Sequence, residues 1–500
     1  MKLSIALLSF VASAVFATQR NHVQLLPRHG TKEVGEPLGA AYFLTNEWKD
    51  NMIIVANIGS DGTLSLHSAV RTNGNGGHGN PANPNNTDPM FSQASIKASP
   101  AGVLAAVNAG SSTISAYWIQ DENPSVLLPM GNPVGSNGDF PVSIAFNNAG
   151  DVVCVLNGGA VNTVSCFKVD HVKGLLPITN ATRPLGLNQT TPPTGLDGTA
   201  SNIIFSEDNC KLIASVKGKS DKPGFLAVWD VSQDWSLSEN FTRVVAPPPC
   251  GMHPSGLALI PGKDAVLAAD ADVGFSIYAN VEGKAAPPAA GGVHGDGQSS
   301  TVTIPGQVGV GWAVRSPKTN SYFLSDIGTS RLTVVNVDDH LKGTIVKQYE
   351  AEPGSNPTEI DIATLGGKDF LYVLLPNATS IDVVALESAS VATRIQRLNL
   401  IEPAHQVNIT IDPRNLHGMT TYVKKGQPQQ PGSNQGSVQN PEQAGTVPEP
   451  EQNHEQEAKP GSEQEPKSES VPAPEQESAQ ESKPVSEQAP EKEGFDLNSE

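Results

Sequence analysis

Five hundred residues carry 51 acidic and 32 basic side chains, a net charge of −19, with 38% apolar and only 5% aromatic residues. Such a chain offers no basic stripe for a phosphate backbone, so nucleic acid is not an expected partner, and anionic membrane surfaces are disfavoured for the same reason. The charge is uneven: residues 427–500 hold 16 acidic and 4 basic side chains against 35 and 28 before them, leaving a mildly acidic body and a strongly acidic tail.

Met1 to Ala17 reads as a secretory leader, with Lys2, an apolar run from Leu3 to Val15, and compact residues at Val15-Phe16-Ala17 where a signal peptidase would cut. The run falls short of the roughly 20 residues of a membrane span, and no later stretch is long and apolar enough. A soluble, secreted or wall-associated protein is therefore expected. Six Asn-x-Ser/Thr sequons fit that route, at Asn85, Asn180, Asn188, Asn240, Asn377 and Asn408.

From residue 21 to residue 425 the chain is expected to form one all-β domain. Ser136 to Asp170 shows its unit. Val142, Ile144 and Phe146 alternate with smaller residues, Asn147 to Gly150 turns the chain, and Val152–Leu156 and Thr163–Val169 follow as two further strand-length runs. Taking one small or polar anchor from the first interior turn of each copy gives Asn51, Gly102, Gly150, Asn209, Lys263, Asn320 and Lys368. The steps are 51, 48, 59, 54, 57 and 48 residues. Units of three or four short strands cannot bury both faces alone, so seven tandem copies predict a seven-bladed β-propeller. Leu38 to Thr45 is a further strand, and Thr393–Leu400, Val407–Asp412 and Met419–Val423 are alternative ends of the last blade.

Four cysteines in a secreted chain suggest disulfides. Cys154 and Cys166 flank the loop Asn157–Asn162 symmetrically and would face each other in an antiparallel hairpin, whereas Cys210 and Cys250 fall on opposite faces of a propeller. From Gln427 the sequence turns to Gln, Glu, Pro and Ser, a composition with too little apolar surface to offset ordering entropy. Residues 426–500 are expected to be a disordered acidic tail, a solubilising segment or a spacer.

Candidate site residues lie in Gly-bearing loops where a ligand can approach closely: His78 in Gly-Gly-His-Gly, His253 before Pro254, and His294 in Val-His-Gly-Asp-Gly, with Asp139, Asp197 and Glu359 as an acidic rim. Asp270, Asp272 and Asp326 read as turn-capping residues. No zinc or EF-hand spacing is present, so no metal or cofactor is expected, and no nucleophile-elbow or nucleotide-binding glycine pattern stands in a strand-to-helix setting.

The repeat, with segments such as Ala98-Ser-Pro-Ala-Gly-Val-Leu104 and Phe225-Leu-Ala-Val-Trp-Asp-Val231, resembles the lactonase-type seven-bladed propellers, and more closely the secreted fungal 3-carboxymuconate cyclase-like glycoproteins. The resemblance covers Leu38 to Val423. It implies either a surface antigen or adhesin that binds matrix or wall components as a monomer, or a lactonase or cycloisomerase acting on a small carboxylated substrate. Enzymatic relatives carry Arg and His after a Pro at the start of inner strands. In this chain those positions read Pro141-Val142-Ser143, Pro254-Ser255-Gly256 and Pro357-Thr358-Glu359, which favours the binding reading over lactone chemistry.

Overall fold

The β-branched runs that mark the repeat do form strands, because each is short, bounded by Gly, Asn or Asp, and able to bury its side chains against a neighbouring blade. A computed structural model describes residues 23–26, 36–80, 86–219, 222–245, 251–281 and 299–426. The expected leader, Met1–Ala17, together with Asn85, Cys250, His294 and residues 427–500, lies outside the described residues.

Seven antiparallel sheets make up the ring. From the innermost strand outward, blade 3 is Pro141–Phe146, Val152–Asn157, Thr163–Asp170 and Gly174–Pro184. The fourth strand is an addition to the three predicted, and most of its residues are at least partly exposed. Second strands such as Val103–Asn108, Val152–Asn157 and Ala265–Asp270 are buried at every position. Neighbouring blades cover them on both faces, so they read as continuous apolar runs. Cys154 and Cys166 stand opposite each other on paired strands of blade 3 and are joined by a disulfide.

Ring closure corrects two details of the sequence reading. His417–Val423 pairs with Gly39–Leu44 and is the inner strand of blade 1, while Val23–Leu25 pairs with Leu64–Arg71 at the outer edge. Of the three alternatives for the chain end, Thr393–Leu400 falls on the outer strand of blade 7, Val391–Asn399, and Val407–Asp412 follows a short helix, Ile401–Gln406, and forms no strand. Asn51 consequently turns the second strand of blade 1 into the third, and sits on the opposite face from the other six anchors, which all follow inner strands. The count of seven survives because the distant C-terminal strand supplies the inner strand that the first copy lacks.

Blades 7 and 1 are locked by specific contacts as well as by packing. Gln396 exchanges two amide hydrogen bonds with the backbone of Leu64, and the Tyr372 hydroxyl donates to the Gly62 carbonyl. Gly62 has φ +79° with its Cα against the Phe370 ring, where any Cβ would stand 2.2 Å from a ring carbon. Among the described residues no helix is long and apolar enough to cross a membrane.

Candidate functional site

The upper face of the ring, on which the chain enters each inner strand, carries the long loops. The longest described one joins blades 1 and 2, and its second half, Thr87–Ser95, stoppers the central channel. Its hydrogen bonds establish this, because they reach the inner strands of four different blades. Ser92 Oγ donates to the Val142 carbonyl (3.0 Å), Asn202 Nδ2 to the Gln93 carbonyl (3.2 Å), Gln93 Nε2 to the Ala313 carbonyl (2.9 Å), and the Ala94 N–H to Glu359 Oε1 (2.9 Å). Trp312 Nε1 donates to the Ser92 carbonyl (3.0 Å). Phe91 and Ala94 take φ values of 55° and 65°, a left-handed conformation that costs a non-glycine residue roughly 1 kcal/mol or more and persists only where the surroundings enforce it.

Ionisable groups are buried around this stopper. Burial pushes the Glu359 carboxyl up to about 7, with His417 and the Ala94 N–H opposing. His417 is fully buried. Burial alone would lower its imidazole, but Asp88 and Glu359 hold it above its ordinary value. Its Nδ1 meets Ser95 Oγ at 3.1 Å, and its Nε2 lies 3.3 Å from Asp88 Oδ1, out of line for a hydrogen bond, so charge joins that pair. Burial lowers the Lys217 ammonium to about 8 against the pull of Asp88 and Asp270, and Lys217 Nζ donates to the Phe91 carbonyl. Burial likewise raises Asp270 to about 6. The stopper hides this cluster from any ligand arriving from above.

Beside it on the upper face, over blades 1 to 3, opens a cleft of about 1020 Å³. Its floor is the Gly76-Gly77-His78-Gly79 loop. Asn46 fixes that loop by exchanging hydrogen bonds with both backbone groups of Gly77, and Gly76 passes so close that a Cβ would stand 2.1 Å from the Asn46 carbonyl. His78 is half-buried, and its Nδ1 lies 2.6 Å from the Gly79 carbonyl oxygen. A carbonyl only accepts, so Nδ1 carries the proton and Nε2 is the basic nitrogen of the neutral ring. Opposite lie Asp412 and Arg414. Arg414 makes a two-point contact with Asp412 (3.0 and 2.6 Å) that holds the Asp412 carboxyl below the usual range. Glu47 accepts from the Asp412 N–H (2.8 Å) and from Asn415 Nδ2 (3.0 Å), and burial raises its carboxyl. Trp48, 69% exposed, and Phe140 give the cleft aromatic walls.

The three described sequence candidates, His78, His253 and Glu359, therefore do not converge. His78 lies in the cleft and Glu359 under the stopper. His253 sits between two carboxylates, Nδ1 2.8 Å from Asp272 Oδ2 and Nε2 3.4 Å from Asp197 Oδ1, as a local surface array. Asp139 accepts from Thr191 Oγ1 (3.1 Å) and the Val161 N–H (3.2 Å), which ties two loops rather than forming a rim with Glu359. Asp326 caps its turn, accepting from Gly309, Gly328 and Thr329. No group of three or more His, Cys, Asp or Glu among the described residues could hold a metal ion. Sequence reasoning missed His417, Lys217 and the Asp412–Arg414 pair. The available signal was Asp412-Pro-Arg414 and His417-Gly-Met immediately before and within a candidate closing strand.

No protein-family model matches the chain, and no curated protein matches it. Solved structures do. A protein from Lactobacillus plantarum is 15% identical, with a TM-score of 0.54 over 77% of this chain and 99% of that one. The Pseudomonas aeruginosa periplasmic gluconolactonase is 14% identical, with a TM-score of 0.52 over 77% and 99%. A putative 6-phosphogluconolactonase from Bacteroides fragilis is 13% identical, with a TM-score of 0.51 over 79% and 99%. Likeness at these identities is likeness of fold, and it agrees with the seven-bladed ring described above.

Proposed function

We propose that the protein hydrolyses a small neutral lactone, such as that of a sugar acid, in the cleft around His78. The observation that carries this reading is the fixed tautomer of His78: its Nδ1 proton is committed to the Gly79 carbonyl, which leaves Nε2 as a base in an upper-face cleft of about 1020 Å³. His78 Nε2 takes a proton as water adds to the lactone carbonyl carbon, and returns it to the ring oxygen as the acyl–oxygen bond breaks, giving a hydroxy acid. Arg414 offers guanidinium N–H groups beyond the two that hold Asp412, and Trp48 supplies a flat face for the C–H side of a sugar ring. Glu47 and Asp412 set two carboxylates against one arginine, so a neutral lactone suits the cleft better than a carboxylated one, and the same charges speed the anionic product away. The lactonase names of two structural relatives support the reaction class.

This reverses the preference drawn from sequence alone. The missing Arg and His after Pro141, Pro254 and Pro357 belong to a channel mouth that Thr87–Ser95 closes in this chain, so their loss does not bear on the cleft. The test is acid release from glucono-lactone and from carboxymuconolactone. Wild type should turn over the former faster, and His78→Gln should lose 10²- to 10⁴-fold in kcat/KM. Unchanged turnover in His78→Gln would end this reading. Absence of turnover together with saturable binding to extracellular matrix would establish the adhesin reading instead.

Export and glycosylation belong to the same proposal. The five described sequon asparagines, Asn180, Asn188, Asn240, Asn377 and Asn408, are all exposed. Protein from a secreting host should lack Met1–Ala17 and lose several glycan masses on N-deglycosylation. An unchanged mass with Met1 intact would contradict it.

A further inference from the structure

The His78 tautomer depends on one acceptor, the Gly79 carbonyl, and that group is held from outside the cleft. A peptide group is planar, with its C=O and N–H pointing opposite ways, so whatever holds the Asn80 N–H also aims the Gly79 carbonyl. The Asn80 N–H donates to the Pro193 carbonyl (2.9 Å), in the loop between blades 3 and 4. The Gly79 N–H donates to the Pro89 carbonyl (2.7 Å), which belongs to the stopper. Between these two tethers stands a glycine, the residue freest to rotate about its own backbone bonds, so a third contact matters. Gly79 is buried, and a Cβ there would lie 2.6 Å from Phe91 Cε2 and 3.1 Å from Phe91 Cζ. The edge of the ring fills the place of the missing side chain.

Phe91 is seated in turn by blade 4. It is 1% exposed, and its carbonyl accepts from Ser201 Oγ (3.1 Å), on the inner strand Ala200–Phe205, and from Lys217 Nζ, just after the second strand Lys211–Val216.

We propose that Phe91 is a positioning residue for His78: held by blade 4, its ring edge keeps the Gly79 peptide in place, so the carbonyl stays aimed at Nδ1 and Nε2 stays unprotonated in the neutral ring. The stopper thus closes the channel and also sets the tautomer of the histidine in the neighbouring cleft. The consequence for turnover rests on the lactonase reading of that cleft, whereas the tautomer does not.

The test is the imidazole nitrogen NMR spectrum of the full chain carrying labelled histidine, at alkaline pH where imidazole rings are neutral, with His78 assigned as the signals lost in His78→Gln. Wild type should show a protonated Nδ1 and an unprotonated Nε2. Phe91→Leu stays apolar but has no atoms at the Cε2 and Cζ positions, and it should move both His78 nitrogens toward a mixture of tautomers. Gly79→Ala disturbs the same contact from the other side, should shift them likewise, and carries the test if Phe91→Leu does not fold. Phe323→Leu, at an equally buried phenylalanine of blade 6, controls for lost core packing and should leave them unchanged. In the acid-release assay Phe91→Leu should lower kcat for glucono-lactone on the order of tenfold, with KM changed by less than about twofold. Wild-type His78 signals in both contact variants, or an equal shift in Phe323→Leu, would overturn the proposal. A wild type without turnover that still shows the expected nitrogen shifts would end the lactonase reading and uphold the positioning role.

Discussion

A chain ending at Asn415 is expected not to reach the closed ring. It loses His417–Val423, the only strand that pairs with the inner edge of Gly39–Leu44 among the described residues. Its ladder to that strand disappears, and Met419, Thr420 and His417, all at most 2% exposed, leave the core together with the largely buried Tyr422. The newly bared strand Gly39–Leu44 is buried at every position, so truncation opens an apolar face and a free β-edge at once. Two or three buried apolar side chains at about 1.5–3 kcal/mol each, with the lost ladder, bring the deficit to the order of 10 kcal/mol, comparable to a whole domain's stability. Calorimetry should show no cooperative transition, while a chain ending at Gly426 should keep it. A truncated chain melting like the longer one would refute the closure.

The second large effect concerns pH. Glu359 titrates near 7 in the folded protein against 4.5 as a free side chain, so the folded state holds a proton that the unfolded state releases. Stability from this group is full below about 4.5 and is lost as pH rises toward 7. Asp270, raised to about 6, works the same way over a lower window, and His417, raised above its ordinary 6.5, extends the loss upward. The groups facing Glu359 are His417, Asp88 and Lys97. At 1.36 kcal/mol per pKa unit the Glu359 contribution is about 3 kcal/mol. The propeller should therefore melt several degrees higher at pH 5 than at pH 7.5. Glu359→Gln can still accept from the Ala94 N–H but cannot ionise, and should match wild type at pH 5 and exceed it at pH 7.5. A variant that is less stable than wild type at both pH values would contradict a cause rooted in Glu359 ionisation.

Much of the fold was legible because strand periodicity and turn residues are local. Gly102, Gly150, Asn209, Lys263, Asn320 and Lys368 mark the same turn in six blades, and each is readable from a dozen neighbouring residues. Asn51 was misplaced because its blade is completed by a strand more than 360 residues away, and no local pattern reports that pairing. The outer strand Gly174–Pro184 was obscured for a different reason: with a solvent-exposed face it carries Asn, Thr and Arg where second strands carry Val and Leu. At the site, the Gly-Gly-His-Gly loop was legible because glycines flag close backbone approach. The stopper was not. Its residues, Thr87 to Ser95, carry no motif, and their burial follows from hydrogen bonds to blades 3, 4, 6 and 7, which only the closed ring brings together. His417 was missed with the strand that carries it.

Whether lactone chemistry has moved from the channel mouth to the His78 cleft is decided by a crystal structure of the His78→Gln protein soaked with glucono-lactone. The intact lactone is expected against Trp48, with its carbonyl carbon within reach of a water at residue 78 and Thr87–Ser95 still seated in the channel. A lactone lying in the channel mouth, with that segment displaced and His417 in contact with it, would contradict the move to the cleft.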